Sequence, residues 1–307
     1  MMKKAAIISI LLLSCVLKVS SQTDPLYTQF MTNPFLVNPA IAGTYPYYQV
    51  IANSRLQWTI MPDPPINNVI SMFGPAVSMP MGYGGYISHE TWGLTSKTTL
   101  MGTYAYYYPI AEDLKIAMGL ALGIMQYKIE GSDNYGEWDP VYQGQTFTKF
   151  APDASVGLYL YSSIYHVGIS STHLLGNKLE IGEQADTITG LSRLTRHFYL
   201  HGGYKYMINR EMAIEPTLII RQSPSTPVQI DINARFWYGK RQWDRTKVWL
   251  GVSFRSQDAV NIIAGVTIKR KIEIGYSYDI GVNKLRKAHY GTHELMLGFK
   301  FNDIKDY

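Results

Sequence analysis

The chain has 307 residues, one cysteine, 46% hydrophobic and 17% charged residues, with 24 tyrosines and 26 glycines. There is enough apolar material for a large core, and the mix excludes a disordered chain, a collagen, a coiled coil and a disulfide scaffold. The formal charge of +5 includes Lys3, Lys4 and Lys18 of a leader segment; without them 25 basic residues face 23 acidic ones, and nucleic acid is not an expected partner.

Residues 1–21 read as a secretory signal peptide. Lys3 and Lys4 form the positive end, Ala5 to Leu17 the apolar run, and Val19-Ser20-Ser21 the small residues before a cut ahead of Gln22. The run is too short to span a bilayer as a helix. Leu12-Leu13-Ser14-Cys15 loosely resembles a lipoprotein box but sits early in the apolar run. A cut at Gln22 leaves no cysteine in the exported form, which excludes disulfides, thiol catalysis and cysteine–metal sites there.

Residues 22–48 do not alternate. Pro25, Pro34, Pro39 and Pro46 break any long element, yet Phe30, Met31, Phe35, Leu36 and Val37 are apolar. This N-terminal non-barrel segment is expected to pack in the lumen of the domain that follows or against its periplasmic rim, or to serve simply as a leader into the first strand.

From 49 to 307 the dominant signal is period two. About fourteen strands begin near 49, 69, 82, 97, 113, 150, 164, 196, 211, 228, 247, 259, 271 and 292. In 271–280, Ile272, Ile274, Tyr276, Tyr278 and Ile280 face one way and Lys271, Glu273, Gly275, Ser277 and Asp279 the other. The stretches 113–124, 228–236, 247–255 and 294–301 alternate in the same manner. A soluble sandwich buries the apolar face; a transmembrane barrel turns it to lipid and keeps a polar lumen. The strands run ~9–12 residues, as a tilted membrane strand needs, against ~5–6 in soluble sheets. Tyr104 to Tyr108 and Trp237-Tyr238 suit aromatic girdles at strand ends. The expected fold is therefore all-β, a transmembrane antiparallel β-barrel of about 14 strands. With both termini periplasmic, the longest connections, 130–149, 173–195 and 282–291, fall on the outer side. Even-numbered connections are mostly tight, Gly239 to Thr246 being the main exception. The loop 130–149, with Glu130, Asp133, Glu137, Asp139, Tyr135, Trp138 and Tyr142, has the composition of either a partner contact or a solvated loop. Met61-Pro62-Asp63-Pro64-Pro65 reads as a short, stiff outer loop.

No P-loop, Rossmann fingerprint, HExxH helix or GxSxG elbow is present. In His89-Glu90 and His293-Glu294 the adjacent side chains point to opposite faces, so neither pair converges on a substrate. His197 and His201 share a face but lie ~13 Å apart along a strand, too far for one metal. No catalytic residue, metal site or cofactor is expected, and the chain reads as a non-enzyme.

Two stretches carry a family resemblance: Gln29-Phe30-Met31-Thr32-Asn33-Pro34-Phe35-Leu36-Val37-Asn38-Pro39-Ala40-Ile41-Ala42-Gly43 followed by Arg55-Leu56-Gln57-Trp58, and Tyr276-Ser277-Tyr278-Asp279 followed by Gly291-Thr292-His293-Glu294-Leu295. They resemble the PorP/SprF family of Bacteroidetes outer-membrane proteins over nearly the whole mature chain. The resemblance implies an accessory barrel of the type IX secretion system in the outer membrane of a Gram-negative bacterium. It would support export or surface anchoring of a large secreted protein, such as a gliding adhesin, and contact the periplasmic ring lipoprotein complex. Outer-membrane lipids are its other expected neighbours. The family supplies no catalytic residues. Candidate partner-binding positions are Asn33, Pro34, Asn38, Pro39 and Gly43, with Arg55 and Trp58 behind them; the same residues could instead fix a turn and plug packing. A passive outer-membrane pore or transporter is the alternative function, suggested by the polar lumen faces.

Overall fold

The computed structural model describes residues 26–130, 146–177, 194–224, 226–239 and 246–302. The expected signal peptide and the acidic, aromatic part of the loop at 131–145 lie outside these residues.

Strands β1 (Tyr48–Leu56), β2 (Ile66–Pro75), β3 (Met81–Trp92), β4 (Thr95–Ala111), β5 (Leu114–Ile129), β6 (Phe147–Tyr161), β7 (Tyr165–Thr172) and β8 (His197–Tyr204) follow one another as antiparallel neighbours. A two-residue strand β9 (Tyr206–Met207) follows β8. Then come β10 (Met212–Ser223), β11 (Thr226–Tyr238), β12 (Thr246–Arg255), β13 (Ala259–Ile268), β14 (Ile272–Gly281) and β15 (Thr292–Phe301). Pairing of β1 with β15 along Tyr48↔Phe301 to Leu56↔His293 joins the ends of the chain, and β10 pairs with both β8 and β11. The result is a closed barrel of fourteen wall strands, with β9 an extra piece beyond Lys205 that pairs with the start of β10. Closure leaves no open sheet edge, which is what a spanning sheet requires in lipid.

The alternation decides which side faces lipid. Leu250, Val252 and Phe254 are 50–63% exposed, while Trp249, Ser253 and Arg255 between them are buried. The same holds for Met118, Leu120, Leu122 and Ile124 against Ala117 and Ala121, and for Leu295, Leu297 and Phe299 against Glu294 and Met296. Apolar side chains therefore point outward and polar or small ones inward, the arrangement of a membrane barrel and the reverse of a sandwich.

The two ends differ. One carries the connections 57–65, 130–146, 173–196 and 282–291; the other carries 76–80, 112–113, 162–164, 208–211, 239–245 and 269–271. Three connections at the long-loop end, 93–94, 224–225 and 256–258, are nevertheless tight. Exposed tyrosines mark the short-turn end on one side of the barrel, with Tyr83, Tyr104, Tyr106, Tyr108, Tyr165, Tyr204 and Tyr206 outward on β3, β4, β7, β8 and β9. Trp237 does not join them: it faces the lumen, where its indole N–H donates to Glu215 Oε2 at 2.8 Å. Its parity with Arg235 and Asn233 on β11 requires that direction.

The core lies inside the barrel. Phe35, Ala40, Ile41 and Ala42 from the N-terminal segment pack against inward-facing Ile51, Phe73, Ala105, Ala117, Tyr159, Trp249, Ile263 and Met296. Of the placements open for 22–48, the described residues 26–47 take the lumen. They run from the long-loop half of the barrel down to the start of β1 at the short-turn end.

Candidate functional site

The segment before β1 is a plug built on two Asn-Pro turns. Pro34–Leu36 and Pro39–Ile41 are single 3₁₀ turns, with Asn33 and Asn38 at their N-caps and proline in the first turn position, where no N–H is needed. Asn38 is used twice. Its Oδ1 accepts from Ala40 N–H at 3.0 Å, and its Nδ2 donates to the Leu158 carbonyl of β6 at 3.0 Å and lies 3.2 Å from His201 Nε2 on β8. Ser170 of β7 adds a hydrogen bond to the Val37 carbonyl at 2.7 Å. Asn33 Nδ2 donates to Asn53 on β1 and Ser71 on β2 at 3.1 and 3.0 Å. Phe35 stacks on Phe73 with ring centroids 4.4 Å apart. Pro39 is buried, and Gly43, at φ +85°, lies so close to β3 that a Cβ there would come within 2.7 Å of Gly82 Cα. Only glycine meets both the backbone angle and the contact.

The upper end of the plug is held by charge. Arg55 of β1 pairs with Asp279 of β14 at 2.8 Å and Glu294 of β15 at 3.1 Å. Arg255 of β12 pairs with Asp231 of β11 at 3.0 Å and Asp258 at 3.2 Å, and Arg221 of β10 shares Asp231 at 2.7 Å. Thr28 sits at the junction: its hydroxyl donates to Asp279 and accepts from both Arg55 and Arg255 at 3.1 Å. The backbone N–H groups of Thr28 and Gln29 donate to the two oxygens of Glu294 at 2.8 and 3.2 Å. Three guanidiniums face four carboxylates, and the plug N–H groups add hydrogen-bond donors to the carboxylate side. All these side chains except Asp258 are less than 10% exposed, and buried charge persists only when paired and hydrogen-bonded.

This latch unites the two quoted stretches of sequence: Gln29 and Arg55 come from the first, Asp279 and Glu294 from the second. The structure brings Asn33, Pro34, Asn38, Pro39, Gly43 and Arg55 together as the mounting of the plug. Trp58 stands apart in the 57–65 connection, at φ 56°, its N–H donating to Thr292 Oγ1 at 3.2 Å and its ring 6.2 Å from His289. Sequence reasoning did not single out Thr28, Arg221, Asp231 or Arg255. For Arg221, Asp231 and Arg255 the signal was a set of charges on the lumenal faces of neighbouring strands; Thr28 carried none.

The histidine–acid pairs split as their parity requires. Glu294 is inside while His293 is outside, its Nδ1 2.6 Å from Tyr276 Oη. Glu90 pairs inside with Lys97 at 3.1 Å, and His89 lies outside near Thr98. His197 and His201 both face the lumen but part company: His197 meets the ring of His173, and His201 sits on Tyr159 beside Asn38. Among the described residues no group of three His, Cys, Asp or Glu side chains could hold a metal, and no helix is long and apolar enough to cross a membrane.

A family profile described as "Type IX secretion system membrane protein PorP/SprF" matches residues 19–299. No functionally curated protein matches significantly. Among solved structures, the Ralstonia pickettii toluene transporter TbuX is similar, with 8% identity, a TM-score of 0.54, and coverage of 87% of this chain and 92% of that one. A Pseudomonas aeruginosa FadL homologue aligns at 9% identity and TM-score 0.47, over 84% of this chain and 89% of its own. At 8% identity the likeness to TbuX extends to the barrel fold alone.

Proposed function

The chain belongs to the PorP/SprF family of type IX secretion system membrane proteins, and from that membership we propose that it is a non-enzymatic accessory barrel of the secretion system. In this reading it supports export or surface anchoring of one large secreted protein, such as a gliding adhesin, and contacts the periplasmic ring lipoprotein complex. The host is a Gram-negative bacterium of the Bacteroidetes, and the short-turn end and the C-terminus face the periplasm.

The observation that supports an accessory role over a pore is the plug. Residues 26–47 occupy the lumen, with Ala40, Ile41 and Ala42 fully buried against the wall, so the barrel is not an open conduit. The channels among its structural neighbours share its wall architecture, and nothing of their transport carries over by itself. Asn33, Pro34, Asn38, Pro39, Gly43 and Arg55 act here by seating the plug; as docking groups they would reach a partner only after the plug left the lumen. Trp58 belongs to the outer rim.

Deleting the gene and comparing surface-exposed proteins by mass spectrometry tests the reading. One very large protein should vanish from the cell surface and reappear in the periplasm. An unchanged surface protein profile would reject the secretion role.

A further inference from the structure

Below the plug, the lumen opens at the short-turn end into a cavity of about 450 Å³. This is within the size range of pockets that hold small ligands and side chains. Its roof is the plug itself, through Met31, Pro34, Thr44, Tyr45 and Tyr47, so the cavity is a socket beneath the plug.

The wall is cationic. Among the described residues Lys115, Lys205, Arg235 and Lys300 line it, against Asp113, Glu215 and Glu273, and Lys247 stands half-buried at the start of β12, in parity with inward-facing Trp249. The carboxylates are already engaged. Glu215 accepts from Arg235 and Trp237 at 2.8 Å each, Glu273 pairs with Lys300 at 2.8 Å, and Asp113 accepts from Ser163 Oγ at 2.6 Å. Lys247 stands in the field of Lys205, Lys300 and Arg270. Like charges gathered at one mouth raise its positive potential and favour an anionic visitor. Aromatic groups line the same space: Tyr159 and Tyr161 stack at 5.4 Å, Tyr45 and Tyr47 at 5.6 Å, and Trp237 lies under Arg235 at 4.4 Å. Tyr, Trp and Arg are the residue types that dominate protein–protein hot spots.

We propose that this socket binds an extended acidic peptide segment, carried by a partner on the short-turn side of the membrane. The cations stand on β5, β11, β12 and β15 and just after β8, on five separate strands and not on one. That spacing matches carboxylates spread along a chain better than a single small polyanion. Tyrosine and tryptophan faces supply apolar contact between the charges. Placing the partner in the periplasm rests on the orientation proposed above; the binding chemistry does not.

The test uses the full-length barrel in detergent and a fluorescein-labelled decapeptide of alternating glutamate and tyrosine, followed by anisotropy. A second peptide carries glutamine for each glutamate, and inorganic phosphate serves as a competitor. The acidic peptide should bind, weaken as salt rises, and bind about tenfold less to Lys205→Gln/Lys247→Gln. A Lys284→Gln/Lys287→Gln barrel, altered at the opposite end, should bind as the unaltered protein does. Equal binding of the glutamine peptide, equal loss in the opposite-end variant, or full displacement by low-millimolar phosphate would each overturn the proposal. Should the socket variant not fold, carbodiimide cross-linking of the acidic peptide to the unaltered barrel decides: cross-links to Lys205, Lys247 or Lys300 support the socket, and cross-links confined to Lys284 and Lys287 refute it. Peptide binding needs no secretion machinery. A barrel that binds in vitro but whose loss leaves the cell surface unchanged would reject the secretion role and keep the socket.

Discussion

Replacing Arg55 by alanine removes the guanidinium that ties the plug to β14 and β15. It leaves Arg221 and Arg255 to face Asp231, Asp258, Asp279 and Glu294, with Asp279 and Glu294 almost fully buried. Removing one partner of a buried ion pair typically costs about 3–5 kcal/mol, because the remaining charge is stranded. The barrel can relieve that cost locally, by releasing Thr28 and Gln29 and admitting water to the carboxylates. If the whole cost falls on plug seating, the unseated fraction rises by roughly two to four orders of magnitude. Conductance of the purified protein in a planar bilayer reads this directly. The unaltered barrel should be closed for nearly all of the recording, and Arg55→Ala should open frequently. Arg55→Lys keeps the charge but loses the fork that spans two carboxylates, and should fall between. Adding Glu294→Gln to Arg55→Ala should recover part of the closure, since one stranded charge is then neutral. An Arg55→Ala barrel that keeps the heat-modifiable electrophoretic shift of the folded protein, yet conducts no more than the original, would refute the latch.

Asn38→Ala should loosen the plug by about 1–3 kcal/mol, since it uncaps a turn and strips partners from the buried Ala40 N–H and Leu158 carbonyl; hydrogen exchange across residues 26–47 should speed up more than in Asn33→Ala. Gly43→Ala should cost at least about 1 kcal/mol for the backbone angle alone, with the approach to Gly82 adding to it, and lower the thermal midpoint of plug release. Leu122→Arg, which puts a charge at a lipid-facing position 58% exposed, should lower the efficiency of folding into lipid vesicles by about 2–4 kcal/mol if the site lies near the bilayer midplane. Equal folding yields for Leu122→Arg and the unaltered chain would contradict the assignment of that face to lipid.

The alternation of the strands was legible because a closed barrel in lipid imposes period two on every wall strand, and each starting position lies within a few residues of its observed one. Strand β9 was not separable in advance: Lys205 interrupts pairing without interrupting the pattern. Trp237 shows the limit of residue type as a guide. An aromatic at a strand end suggests a girdle, but its parity with Arg235 already placed it inside. The prolines and apolar residues of 26–47 indicated packing, not a path. Which wall each side chain would meet depends on register among strands more than a hundred residues apart, as in Asn38 with Leu158. The latch was half visible. Arg55, Asp279 and Glu294 stood in the quoted stretches, and Asp231 and Arg255 stood on lumenal faces. Only the pairing of β1 with β15 and of β11 with β12 brings them to one height. Thr28, an ordinary residue in sequence, gains its place from the charges that surround it.

The proposed role in secretion is tested most directly by what the tagged protein carries with it from native outer membranes in mild detergent, identified by mass spectrometry. A periplasmic ring lipoprotein or a very large surface protein should be recovered in amounts comparable to the barrel. Recovery of the barrel alone, at good yield, would contradict the account.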